Sequence, residues 1–259
     1  MGQALTLPLV IGHRGAAAYA PENTLAGFRA AKALGCVWVE FDVRLSADAA
    51  LVLCHDDSLT RTTNGSGRIS QLPLSSIRRL DAGSWFDGGF AGEPLPMLEE
   101  ALVVCDELGL GVNIEIKAER GLARATAAAV ATCLERLSGH LPVVLISSFL
   151  LEAIAEAAER LPRCPRGILW RKAPRGWARI AQGLGCATIN IDQRYLTESA
   201  VNEVCAAGYP VLAYTVNDPA RARQLFNWGV ASVFSDAPDI IAPTTGCDSA
   251  AEARQGASR

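Results

Sequence analysis

The sequence predicts a single TIM-type (β/α)8 barrel, a parallel α/β sheet of eight strands closed on itself and wrapped by helices. Three observations point there: eight short runs rich in Val, Ile and Leu, helical stretches between them, and a length of 259 residues, half of them hydrophobic. Continuously apolar runs suit strands buried on both faces, and their alternation with helices implies parallel pairing. A chain of this size buries one substantial core, so residues 1–243 read as one domain.

In chain order the strand runs are Leu7 to Gly12, Val37 to Asp42, Gly111 to Ile116, Val143 to Ser147, Gly167 to Trp170, Ala187 to Ile191, Val211 to Thr215 and Ala231 to Ser235. Among the helices, Thr24 to Leu34 starts from an Asn-Thr cap signal, Leu122 to Leu137 is rich in Ala, and Leu150 to Leu161 stops before Pro162. Leu51 to Cys54 also looks like a strand. It follows the second run too closely for a parallel crossover, so it should fold back as an antiparallel hairpin. With its turn near Asp48, Leu45 faces Leu51, Val43 faces Leu53, and His55 returns opposite Phe41 beside Asp42. The segment of about 56–96 is too long for an ordinary connection and reads as an insertion over the barrel mouth. The last stretch, 244–259, lacks large apolar residues and is expected to be a disordered tail.

A net charge of −3 gives no general attraction for nucleic acid or an anionic membrane, which favours a small-molecule partner. The N-terminus has no signal-peptide pattern, and the apolar run from Leu141 is stopped by Glu152 well short of a membrane span. Eight scattered cysteines without a CxxC pair read as free thiols, so a soluble cytoplasmic protein is expected. Oligomeric state leaves no trace in the sequence.

The chemistry gathers at the carboxyl ends of the strands, where TIM barrels keep their active sites. The first run leads into Gly12-His13-Arg14-Gly15. Taken alone, His13 and Arg14 read better as a surface histidine and a solvated charge than as functional groups. In the second, Glu40 and Asp42 stand at i and i+2 and therefore share one strand face. Glu115 and Lys117 repeat that spacing on the next strand. For two buried carboxylates on one face a divalent cation is a simpler compensation than Lys or Arg partners at the rim. Glu115 and Lys117 alone read as a local ion pair, but three carboxylates together form an oxygen-rich site suited to Mg2+ or Ca2+. Zinc is disfavoured because its Cys and His spacing is absent. With His13, His55, Arg14 and Lys117, the set supplies what phosphodiester hydrolysis needs: cations for the phosphoryl charge, a base and an acid.

HRG at 13–15, PENTLAGF at 21–28, VEFDVRLS at 39–46, HDDSLTRTTNGSG at 55–67, LDAGSWF at 80–86, NIEIK at 113–117 and YTVNDP at 214–219 follow one another in an order that resembles the glycerophosphodiester phosphodiesterase family, notably its short bacterial cytoplasmic members. The resemblance implies a TIM barrel with an insertion after the HD motif. It also implies metal-dependent hydrolysis of glycerophosphocholine or glycerophosphoethanolamine to sn-glycerol 3-phosphate and an alcohol. By that likeness Glu40, Asp42 and Glu115 are the metal ligands for one Mg2+ or Ca2+, His13 and His55 the acid/base pair, and Arg14 and Lys117 the phosphate contacts. Two departures stand out: the hairpin turn reads SADAAL where members often have Asp-Gly, and PMLEE replaces PTLEE, removing a Thr cap. Glu22 and Asn23 read as a turn and helix cap, while Phe149, Tyr214 and Asn217 stay outside the expected site. Competing readings are a Schiff-base enzyme using Lys117, a non-catalytic phosphate-binding barrel, and a phosphodiesterase acting on intact lipid.

Overall fold

The computed structural model describes residues 5–137, 139 and 141–241. Eight parallel strands close into a barrel in the order β1 (Val10–Gly12), β9 (Ser232–Ser235), β8 (Val211–Tyr214), β7 (Thr188–Asp192), β6 (Arg166–Trp170), β5 (Val144–Ser148), β4 (Gly111–Ile116), β2 (Trp38–Leu45), with β2 returning to β1. β3 (Leu51–Leu53) adds antiparallel to β2, with Val43 opposite Leu53 and Leu45 opposite Leu51, as the hairpin register required. β1 is shorter than its apolar run because Pro8 has no N–H to give the ladder. β2 runs past Asp42 to Leu45 because β3 supplies pairing partners for its last three residues.

The predicted helices form one residue inside their expected ends. α1 (Leu25–Ala33) is capped by the Thr24 hydroxyl, which accepts from Gly27 N–H and donates to the Pro21 carbonyl. The Ala-rich α4 (Ala123–Arg136) packs on α5 (Leu151–Arg160). At the start of α3 (Leu98–Glu107), Met97 stands where a Thr would cap, yet half of the capping box persists: Glu100 Oε2 accepts the Met97 N–H at 2.9 Å.

Inside the barrel, Ile11, Trp38, Leu145, Leu212 and Phe234 form the floor beneath the mouth. Gly111 makes room for it, since a Cβ there would sit 2.3 Å from the Trp38 ring. Outside, the apolar faces of the strands bury against the surrounding helices.

The insertion, expected over the mouth, packs against the β2–β3 hairpin. Its apolar residues Leu59, Ile69, Ile77, Ala82 and Leu95 cluster with Val52 and Cys54 of the hairpin, so hydrophobic burial draws it to the hairpin's flank. It reaches the mouth through Asp56 and Arg61. The expected tail, 244–259, lies outside the described residues. No helix among the described residues is long and apolar enough to cross a membrane.

The SADAAL turn carries a cost. Ala49 takes φ 62° where a Gly would be unstrained, while Ser46 Oγ bonds Asp48 and the Ala50 N–H. Left-handed φ costs a residue with a Cβ about 1–2 kcal/mol, partly offset by the greater unfolded-state freedom of Gly. Ala49→Gly is therefore expected to stabilise the protein by roughly 0.5–1 kcal/mol. The check is the midpoint of a urea denaturation curve; a fall in that midpoint refutes it.

Candidate active site

β1 leads into a sharp turn in which Arg14 has φ 51° and Gly15 φ 91°. A side chain at Gly15 would press on Gly27, whose carbonyl carbon lies 2.7 Å from the Cβ position. The turn aims the Arg14 N–H at Glu40 Oε2 (2.9 Å) and sets its guanidinium between Glu22 (2.9 Å) and Asp42 (3.4 Å).

Pairing of β2 with β4 puts Asp42 beside Glu115. Oxygens of Glu40, Asp42 and Glu115 lie within 4.8 Å of one another, and all three residues are buried. Lys117 Nζ stands 2.6 Å from Glu115 and 3.5 Å from Asp42, and 5.4 Å from the Phe149 ring centre. Asn23 clamps Asp42: its Nδ2 donates to Oδ2 and its Oδ1 accepts the Asp42 N–H, each at 2.9 Å. Asn23 is itself buried in the left-handed region, which Asn tolerates better than most residues. Asn23→Ala would leave buried Asp42 groups unsatisfied, at an expected loss of about 2–3 kcal/mol. Urea denaturation checks this, and an unchanged midpoint would show that the clamp carries no stability.

Burial raises Glu40 well above the usual carboxylate range, and its neighbours Asp42 and Glu115 add to the shift. Burial also pushes Glu115 up to about 7, against the pull of Lys117. Burial works against Asp42 ionising as well, but Lys117, Arg14 and His55 outweigh it and hold that carboxyl low. Two fixed cations, Arg14 and Lys117, face three carboxylates. Moreover, Glu40 Oε1 is buried without a hydrogen-bond partner among the described residues. An all-oxygen donor set with surplus negative charge and an unsatisfied oxygen fits a hard divalent cation.

The two histidines are held alike. His13 Nδ1 bonds Asp236 Oδ1 at 2.6 Å, and His55 Nδ1 bonds Asp56 Oδ1 at 2.7 Å. A carboxylate on Nδ1 fixes the proton there and leaves Nε2 to exchange protons. His13 Nε2 lies 3.9 Å from Glu40. Arg44 of β2 holds the His55 carbonyl through Nε and Nη2, which anchors the end of the hairpin. Burial lowers the His55 pKa, with Asp42 opposing.

These groups open onto a cavity of about 360 Å³ lined by His13, Arg14, His55, Glu115, Lys117 and Phe149, and on its far side by Asp192 to Arg194, Tyr214 and Thr215. All seven residues expected from the sequence thus gather in one place, with Glu40 and Asp42 behind the lining. Phe149 and Tyr214, held outside the expected site, belong to it and meet edge to face at 5.7 Å. Asn217 acts one step back, donating to Asp236 Oδ2 at 2.6 Å. Asp236 and Asp192 were missed. Each sits at the carboxyl end of a barrel strand, the same positional signal that singled out His13.

Against known proteins, residues 13–240 match the model of the glycerophosphoryl diester phosphodiesterase family. A glycerophosphodiester phosphodiesterase of Bacillus subtilis is 30% identical over 251 residues, covering 90% of this chain and 85% of that protein. A phosphodiesterase of Oleispira antarctica, solved in complex with its product sn-glycerol-3-phosphate, superposes with a TM-score of 0.89 at 41% identity, over 92% of this chain and 96% of that one. A glycerophosphodiester phosphodiesterase from Agrobacterium tumefaciens gives 0.77 at 29% identity, over 92% and 100%. With its closed barrel and nearly its whole described length matched, the chain belongs to the glycerophosphoryl diester phosphodiesterase family of hydrolases.

Proposed function

We propose that this protein hydrolyses glycerophosphodiesters, such as glycerophosphocholine and glycerophosphoethanolamine, to sn-glycerol 3-phosphate and the free alcohol. One observation carries the reading: two histidines, each tied through Nδ1 to a carboxylate, flank a carboxylate trio with Arg14 and Lys117 in a single cavity. The product complex of the Oleispira relative supports the same end product.

Glu40, Asp42 and Glu115 would hold one Mg2+ or Ca2+. When bound, that ion polarises the phosphoryl group and offsets its charge. Arg14 and Lys117 bind the phosphoryl oxygens. One histidine takes the proton of the attacking oxygen through Nε2, and the other returns a proton to the departing alcohol oxygen as the P–O bond breaks. A cavity of about 360 Å³ admits a small diester. With a net charge of −3 and no membrane-crossing helix among the described residues, neither nucleic acid nor a membrane is a proposed partner. We place the enzyme in the cytoplasm, in keeping with seven described cysteines that carry no disulfide.

The Schiff-base reading fares poorly. Burial alone would lower the Lys117 pKa, but Asp42 and Glu115 hold it above the usual value, so the amine stays protonated and non-nucleophilic. The deciding experiment is a panel of glycerophosphodiesters assayed with Mg2+ or Ca2+, reading glycerol 3-phosphate release. Release from at least one diester is expected, and none from any would sink the proposal.

A further inference from the structure

Arg61, in the insertion, does not line the cavity, yet it bonds two of the carboxylates that hold site residues. Its Nε and Nη2 donate to Asp56 at 2.7 and 3.2 Å, and its Nη1 and Nη2 donate to Glu22 at 2.7 and 2.8 Å. Asp56 in turn bonds His55, and Glu22 accepts from Arg14 at 2.9 Å. One planar guanidinium thus closes an unbroken chain from His55 through Asp56, Arg61 and Glu22 to Arg14. We propose that Arg61 is a positioning residue that fixes the proton-exchanging ring of His55 and the phosphate-binding group of Arg14 in one relation, making the insertion a working part of the site. This rests on the functional reading above.

Two features argue for a positioning role. The Arg61 side chain is 44% exposed while Glu22 is only 10% exposed, so Arg61 holds a largely buried carboxylate of the site from its solvent side. Its rigid fork also serves two carboxylates at once, which a lysine ammonium cannot do with the same geometry. The loop that carries it is pinned by buried Thr63, whose hydroxyl donates to the Leu59 carbonyl at 2.6 Å.

The test is a set of double-mutant cycles on glycerophosphocholine hydrolysis with saturating Mg2+. Arg61→Gln is expected to lower kcat by about 10–100-fold, the usual effect of losing a partner that orients a site group, and to raise KM. Asp56→Asn should reproduce mainly the kcat part and Glu22→Gln mainly the KM part. Each double variant with Arg61→Gln should be little worse than the worse single, because both changes cut the same chain. Arg61→Lys, which keeps the charge, should restore less than half of the lost activity. Multiplying losses, or full activity in Arg61→Lys, would overturn the proposal. Magnesium affinity measured by calorimetry should be unchanged in Arg61→Gln; a loss matching the kcat defect would also overturn it. If the wild type cleaves no diester, the functional reading fails separately. The coupling is then read from the His55 ring signals in NMR spectra, which should broaden in Arg61→Gln and would refute the coupling if they did not.

Discussion

Removing divalent cations with EDTA is expected to cut diester hydrolysis by at least about 10³-fold, with return on adding Mg2+ or Ca2+, since a Lewis acid at phosphorus supplies several kcal/mol. The physical reason lies in the trio. Glu40, Asp42 and Glu115 crowd within 4.8 Å, with Arg14 and Lys117 as the fixed cations beside Asp42, and Glu40 Oε1 has no hydrogen-bond partner among the described residues. Glu40→Ala and Glu115→Ala should each weaken metal binding by roughly 10²-fold, since each removes one oxygen ligand. Calorimetric titration reads this directly, and high metal should restore part of the activity. Full turnover in chelator, or identical titration curves in both variants, would overturn the metal assignment. A kcat deficit that no metal concentration relieves would point to the trio acting in another role.

The second large effect concerns His13 and His55. Replacing either with Ala is expected to lower kcat by roughly 10²-fold or more, with metal affinity and fold kept, because each ring moves one proton in the transition state. The two roles separate on a diester with a p-nitrophenol leaving group, whose departure needs little protonation. Loss of the acid should then be tolerated and loss of the base should not. Equal defects on both substrates would refute the division of labour. Since both rings are tied through Nδ1, to Asp236 and Asp56, substituting those carboxylates with Asn should give smaller defects of the same kind, of about 10-fold or more.

Much of this was legible in the chain. The i, i+2 spacing of Glu40 with Asp42 and of Glu115 with Lys117 places each pair on one strand face, and the structure shows both pairs facing the same site. Hairpin register follows from side-chain alternation and a short turn, and Val43 opposite Leu53 agrees with it. The chain was less informative where contacts span long sequence separations. Asp236 meets His13 across 223 residues, and Arg61 meets Glu22 across 39. Nothing local in SVFSDAPD or LTRTTNG announces those partners.

By itself the sequence determined the barrel and the strand face that Glu40, Asp42 and Glu115 present, because periodicity and burial are local consequences of residue type. Only the tertiary structure decided the partners and the surroundings. Closure of β1 against β9 brings Asp236 to His13, and the turn at Asn23 swings its amide onto Asp42. Likewise, the insertion went to the hairpin's flank because its own apolar residues had Val52 and Cys54 to bury against. These outcomes depend on the packing of distant segments, whose energies are settled by shape and charge in three dimensions and leave no period in the chain.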